Sequence, residues 1–158
     1  MNPLEIKKYP DDVLRRECSL VDRITEKERI LFERMVLTMR YFSGIGLAAP
    51  QIGISRKLIV VDIDEGVIKL ANPVVLKTKG LSWMDEKCLS VPDIVVNVER
   101  SEEIIVSGLN EKGHAVELRA KGLLARVLQH EIDHLNGTLI IDYLTFQGKV
   151  RRGKGGAR

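Results

Sequence analysis

The chain has 158 residues, with 25 Lys and Arg against 22 Asp and Glu, for a formal net charge of +3. Apolar residues make up 44% and charged residues 30%, the balance of one ordinary globular domain; this excludes a disordered chain, a collagen-like chain and a helical membrane span. The charge is uneven, because residues 149–158 carry five bases and no acid, leaving 20 bases and 22 acids in the body.

In chain order, Thr25 with Glu28 fits a capping box, and Ile30, Leu31, Met35, Leu37 and Met39 follow at roughly helical spacing. These predict a helix over 25–42, stopped by Ser43-Gly44. Segments 58–62, 67–71, 74–77, 94–98 and 103–108 are rich in β-branched residues and read as strands. Asn110-Glu111-Lys112-Gly113 is a turn signal, so 104–109 and 114–118 are expected to form a hairpin. Leu123, Leu124, Val127, Leu128, Glu131, His134 and Leu135 fall on one helical period, which predicts a second helix to about Asn136 with Gly137 beyond it. This order predicts an α+β fold with a mostly antiparallel sheet. Residues 1–146 are expected to form one domain and 147–158 a basic, flexible tail. No apolar leader with a cleavage site is visible at the N-terminus, and Cys18 and Cys88 cannot build a disulfide framework, so a reducing cytoplasm is the expected compartment.

His130-Glu131-Ile132-Asp133-His134 is an H-E-x-x-H pattern on the second helix. Two His four residues apart share a helix face and can reach one ion; the intervening Glu can accept a proton from water. A catalytic site needs a third protein ligand. The extended zinc-protease pattern requires a downstream His where Ile140 stands, and Asp142 is the only acid after Asp133. His114 sits beside the hairpin turn and reads as solvated. The third ligand is therefore expected upstream, with Cys18 and Cys88 as candidates. Residues 44–51, Gly-Ile-Gly-Leu-Ala-Ala-Pro-Gln, form either a place of close backbone approach or a tight turn.

Taken together, residues 44–51, Glu86-Lys87-Cys88-Leu89-Ser90 and Gln129–His134 resemble, in order and spacing, the three motifs of the peptide deformylase family. The likeness covers roughly residues 4–145. It implies antiparallel sheets around a central helix carrying H-E-x-x-H, with an N-terminal helix. It implies removal of the N-formyl group from the first Met of newly made peptides, with release of formate. Cys88, His130 and His134 would hold one divalent ion, with Fe(II) favoured and Zn(II), Ni(II) or Co(II) able to occupy the site. Glu131 would be the general base, and Gln51 and the backbone N–H of Leu89 the oxyanion donors. Ile45, Met84, Leu123 and Val127 would wall a methionine pocket, with Gly44 and Gly46 leaving room for substrate backbone. Asp133 and Gln129 would support the helix rather than bind metal. The implied partners are N-formylmethionyl nascent peptides in the cytoplasm, with no membrane and no sequence-specific nucleic acid. The tail is either a ribosome contact through phosphate or a disordered solubilising end. Two competing readings are another metal amidase or peptidase and a non-catalytic structural metal module. Lys87 departs from the family pattern, which has Gly there; if that position needs positive φ, Lys87 should strain or shift the loop.

Overall fold

The computed structural model describes residues 1–144. Helix α1 (Glu26–Tyr41) starts as its capping box dictates: Thr25 Oγ1 accepts from the Lys27 N–H, and Glu28 reaches back to the Thr25 N–H at 2.9 Å. Its buried stripe is Phe32, Met35, Val36 and Met39, at helical spacings of three and four. Ile30 departs from the expected apolar face and is half exposed. Ser43, at φ 59, takes the left-handed turn one residue before Gly44, whose N–H closes on Met39 O at 2.9 Å.

Five strands form one antiparallel sheet in chain order: β1 (Gly46–Ala48), β2 (Leu58–Asp62), β3 (Val67–Cys88), β4 (Val91–Leu109) and β5 (Ala115–Lys121). The segments expected at 67–71 and 74–77 are one strand with a register shift between Ala71 and Val74. Asn72 sits in that shift at φ 53, and its side-chain amide pairs with both backbone groups of Val21 at 2.8 Å. Likewise, 94–98 and 103–108 merge into β4. Residues 78–88 were not expected to be strand, because their polar, Gly-containing sequence lacks β-former patterning. The long β3–β4 ladder imposes the extended backbone instead.

The β4–β5 hairpin turns where predicted, with Gly113 N–H donating to Asn110 O and Asn110 N–H to His114 O, both at 2.9 Å. Helix α2 (Gly122–Leu135) packs against β1, β2, β4 and β5, so it is the central element. Gly137 ends it at φ 75, and a Cβ there would lie 2.6 Å from Arg15 O. No helix among the described residues is long and apolar enough to cross a membrane.

Candidate metal centre and cleft

Cys88 ends β3, and His130 and His134 lie one turn apart on α2, facing it. Cys88 Sγ is 3.3 Å from His134 Nε2, and the ligand-type atoms of the three residues all lie within 4.8 Å of one another. Cys18 is elsewhere: its N–H donates to Leu135 O, its side chain packs in the cluster with Ile59 and Leu128, and burial pushes its thiol up to about 11. The tertiary structure thus separates the two cysteines.

Sequence reasoning missed Glu86, Arg100 and Arg126. Glu86 Oε1 lies 2.9 Å from His130 Nδ1, which leaves Nε2 to face Cys88 and His134. The same carboxylate accepts from Arg100 through two N–H groups at 2.9 Å and from Arg126 at 2.7 Å. Arg100 continues to Asp133 at 2.6 Å, and Tyr143 donates to the same Asp133 oxygen at 2.7 Å. Two buried guanidinium groups therefore balance two carboxylates, as a low-dielectric interior requires. Burial pulls Glu86 upward, yet hydrogen bonds from Arg100 and His130 hold its carboxyl well below the usual range. Burial opposes a charged His130, but hydrogen bonds with Cys88 and Glu86 push it up to about 10. His134 is held well below the ordinary value by burial and then by the charges of His130 and Arg100. Strand alternation carried a signal for Glu86, because residues 86 and 88 share a face; Arg126 likewise stands one helical turn before His130. Gln129 exchanges bonds with both backbone groups of Ser101, tying α2 to β4.

Glu131 is 3% exposed, and its Oε1 is buried with no hydrogen-bond partner among the described residues. Burial pushes it up to about 7. Gly46 makes this position available: a Cβ on residue 46 would collide with Glu131 Oε2 and lie 2.9 Å from Val127 Cγ1. Gln51 accepts the Ala48 N–H at 3.0 Å, which aims its Nε2 at Ser90 Oγ (3.1 Å) and Cys88 Sγ (3.7 Å).

These groups floor a cleft of about 750 Å³. Gly44, Ile45, Gly46, Met84, Leu89, Leu123 and Val127 all line it. Ile45, Met84 and Leu123 are each more than 40% exposed, so they are open walls, whereas Val127 is 6% exposed and belongs to the core as well. Lys87 also lines the cleft. It shows no positive φ, so the condition under which strain was expected is not met; Lys87 lies in β3 beside the register shift between Glu86 and Cys88.

One thiolate and two imidazoles are a soft to borderline donor set suited to Fe(II), Zn(II), Ni(II) or Co(II). Tetrahedral bonds to sulfur and nitrogen place such donors about 3.5 Å apart, close to the Cys88–His134 separation. The residues fit one divalent ion, with Glu131's unpartnered oxygen beside them.

An antiparallel sheet wrapped on a helix that carries such a donor set, opening into a peptide-sized cleft, defines a class: the metal-binding hydrolases. Comparison with known proteins narrows it. Residues 3–150 match the family model described as polypeptide deformylase. The peptide deformylase of Halothermothrix orenii is 49% identical over 144 residues, covering 90% of this chain and 94% of the relative. The crystal structure of peptide deformylase from Thermotoga maritima superposes with a TM-score of 0.88 at 42% identity, covering 90% of this chain and 97% of that one. A peptide deformylase from Synechococcus elongatus, solved in complex with actinonin, gives 0.87 at 44% identity, covering 90% and 79%. The chain belongs to the peptide deformylase family.

Proposed function

We infer that this chain hydrolyses the N-formyl group from the first methionine of nascent peptides, releasing formate and a free amine. The observation that carries this is Glu131: a buried carboxylate with a free oxygen, beside Cys88, His130 and His134, at the floor of an open cleft. Cys88, His130 and His134 would hold the ion, which we take as Fe(II). When bound, it supplies Lewis acidity that makes a water molecule a better nucleophile at neutral pH. Glu131 accepts the proton of that water as oxygen adds to the formyl carbon, then delivers it to the methionine nitrogen as the C–N bond breaks. Gln51 Nε2, already aimed at the centre by the Ala48 N–H, and the backbone N–H of Leu89 donate to the developing oxyanion. Ile45, Met84, Leu123 and Val127 take the methionine side chain. Gly44 and Gly46 let substrate backbone approach.

The open cleft and the three-residue donor group oppose a purely structural ion, which favours four protein ligands. Residues 1–146 are read as one catalytic domain. A nascent-peptide substrate and two free cysteines support a cytoplasmic enzyme. The basic segment 147–158 lies outside the described residues and keeps both its readings, a ribosome contact through phosphate or a solubilising end.

The test is formate release from formyl-Met-Ala-Ser by protein reconstituted anaerobically with Fe(II) and, in parallel, Zn(II). Wild type should release formate, and Glu131→Ala at matched metal content should lose about 10²- to 10⁴-fold. Full activity in that variant overturns the mechanism; cleavage of internal bonds in unformylated peptides would instead favour a peptidase.

A further inference from the structure

His130 presents Nε2 to the metal centre because Glu86 occupies its other ring nitrogen, so whatever fixes the plane of the Glu86 carboxylate aims the ligand. Arg100 fixes it with a fork: Nε–H and Nη2–H each donate at 2.9 Å, one to each oxygen of Glu86. Arg126 reaches only one of those oxygens, at 2.7 Å, and a single bond leaves the plane free to turn.

The orientation of Arg100 depends in turn on its far edge. Nη1 donates to Asp133 Oδ2 at 2.6 Å and to Tyr143 Oη at 3.3 Å, and the guanidinium lies 5.1 Å from the centre of the Tyr143 ring. Tyr143 Oη donates to the same Asp133 oxygen at 2.7 Å. Tyr143 therefore meets Arg100 with its ring, with its hydroxyl and through Asp133. It is itself held: it ends the single turn Ile140–Tyr143, and Asp142 of that turn accepts two bonds from Arg15 at 2.7 and 2.9 Å. Arg100, Asp133 and Tyr143 also wall a second cavity of about 310 Å³, which shares no lining residue with the catalytic cleft. Truncating Tyr143 widens that cavity against the buried guanidinium and lets water compete for its far edge.

We propose that Tyr143 is a positioning residue for the metal centre: by locking Arg100, and through it Glu86 and His130, it sets how tightly the Cys88–His130–His134 site holds its ion. This rests on the reading of those three residues as the ligands of a deformylase. Tyr143 belongs neither to the donor group nor to the lining of the cleft, so its effect falls on metal affinity rather than on substrate binding.

The probe is Co(II), whose visible absorption reports thiolate and imidazole ligation. Metal-free wild type, Tyr143→Phe and Tyr143→Leu are titrated anaerobically with Co(II) against a competing chelator. Formate release from formyl-Met-Ala-Ser is then read at saturating Co(II). Partners that hold a metal-binding His directly are worth about 10- to 100-fold in affinity, and Tyr143 acts one residue further out; Tyr143→Phe should therefore weaken Co(II) binding by about 3- to 10-fold. Tyr143→Leu, which loses the ring as well, should weaken it further and alter the Co(II) spectrum. KM at saturating Co(II) should stay near the wild-type value in both. Melting curves of the metal-free proteins check folding, and Tyr143→Phe keeps the ring should Tyr143→Leu fail to fold. Glu28→Gln, which loosens the start of α1 away from the centre, should keep wild-type affinity. Unchanged Co(II) affinity in folded Tyr143→Phe and Tyr143→Leu, or an equal loss in Glu28→Gln, would overturn this inference alone. Wild type that binds no Co(II) would overturn the metal-centre reading and this inference with it. The expected affinity losses without formate release from wild type would sink the deformylase reading and leave the role of Tyr143 standing.

Discussion

At the residue scale, the least conspicuous side chain decides most. Gly46 has none, and Glu131 occupies the space that a Cβ there would fill. A general base works only if held within a fraction of an ångström of its proton donor, and a small misplacement costs about 10²-fold. Gly46→Ala should therefore lower kcat/KM by about 10²-fold while metal content, read by elemental analysis, stays at the wild-type level. A variant that loses its metal, or keeps its rate, would contradict this account of Gly46. The H-E-x-x-H pattern was legible because its spacing of four is a property of the helix itself. Gly46's contact with Glu131 was not legible, and alternation placed Glu86 on the face of Cys88 without showing that it meets His130, since each contact joins residues far apart in the chain.

At the element scale, the start of α1 is held by Glu28. Its carboxylate accepts from Thr25 and from Arg56 at 2.9 Å while only 5% exposed. Hydrogen bonding by Thr25 comes first among the causes that lower it to about 2. Its folded value lies below its unfolded one, so this stabilisation is complete above about 4.5 and disappears as pH falls toward 2. Glu28→Gln should cost about 2 kcal/mol at pH 7, the scale of a hydrogen bond to a charged group. The gap in chemical-denaturation stability between variant and wild type should close by pH 2; a constant gap would show that charge is not its source. Local signals of this kind, the capping box, the Asn110–Gly113 turn and the Gly137 stop, made α1, the hairpin and α2 readable. The lengths of β3 and β4 were not, because residues 78–88 owe their extended form to their partner strand rather than to their own propensity.

At the scale of the whole molecule, the charge excess lies in the last ten residues, with a slightly acidic body. If that end holds the enzyme at the ribosome, deleting 149–158 should abolish salt-sensitive cosedimentation with ribosomes while leaving formate release from short peptides intact. Unchanged cosedimentation would remove the ribosome reading. The sequence by itself determined the class of fold, the two helices and the pair of His on one face, because periodicity, caps and turns act between neighbours in the chain. It also carried the three motifs through which the family is recognised. Only the tertiary structure brought Cys88 up to His130 and His134 and buried Cys18 elsewhere, built the Glu86–Arg100–Asp133 network behind His130, and left Lys87 without positive φ or an ion pair among the described residues. Those outcomes depend on which strand and helix faces meet across long sequence separations, and burial then fixes which charges must be paired and which stay free for a ligand.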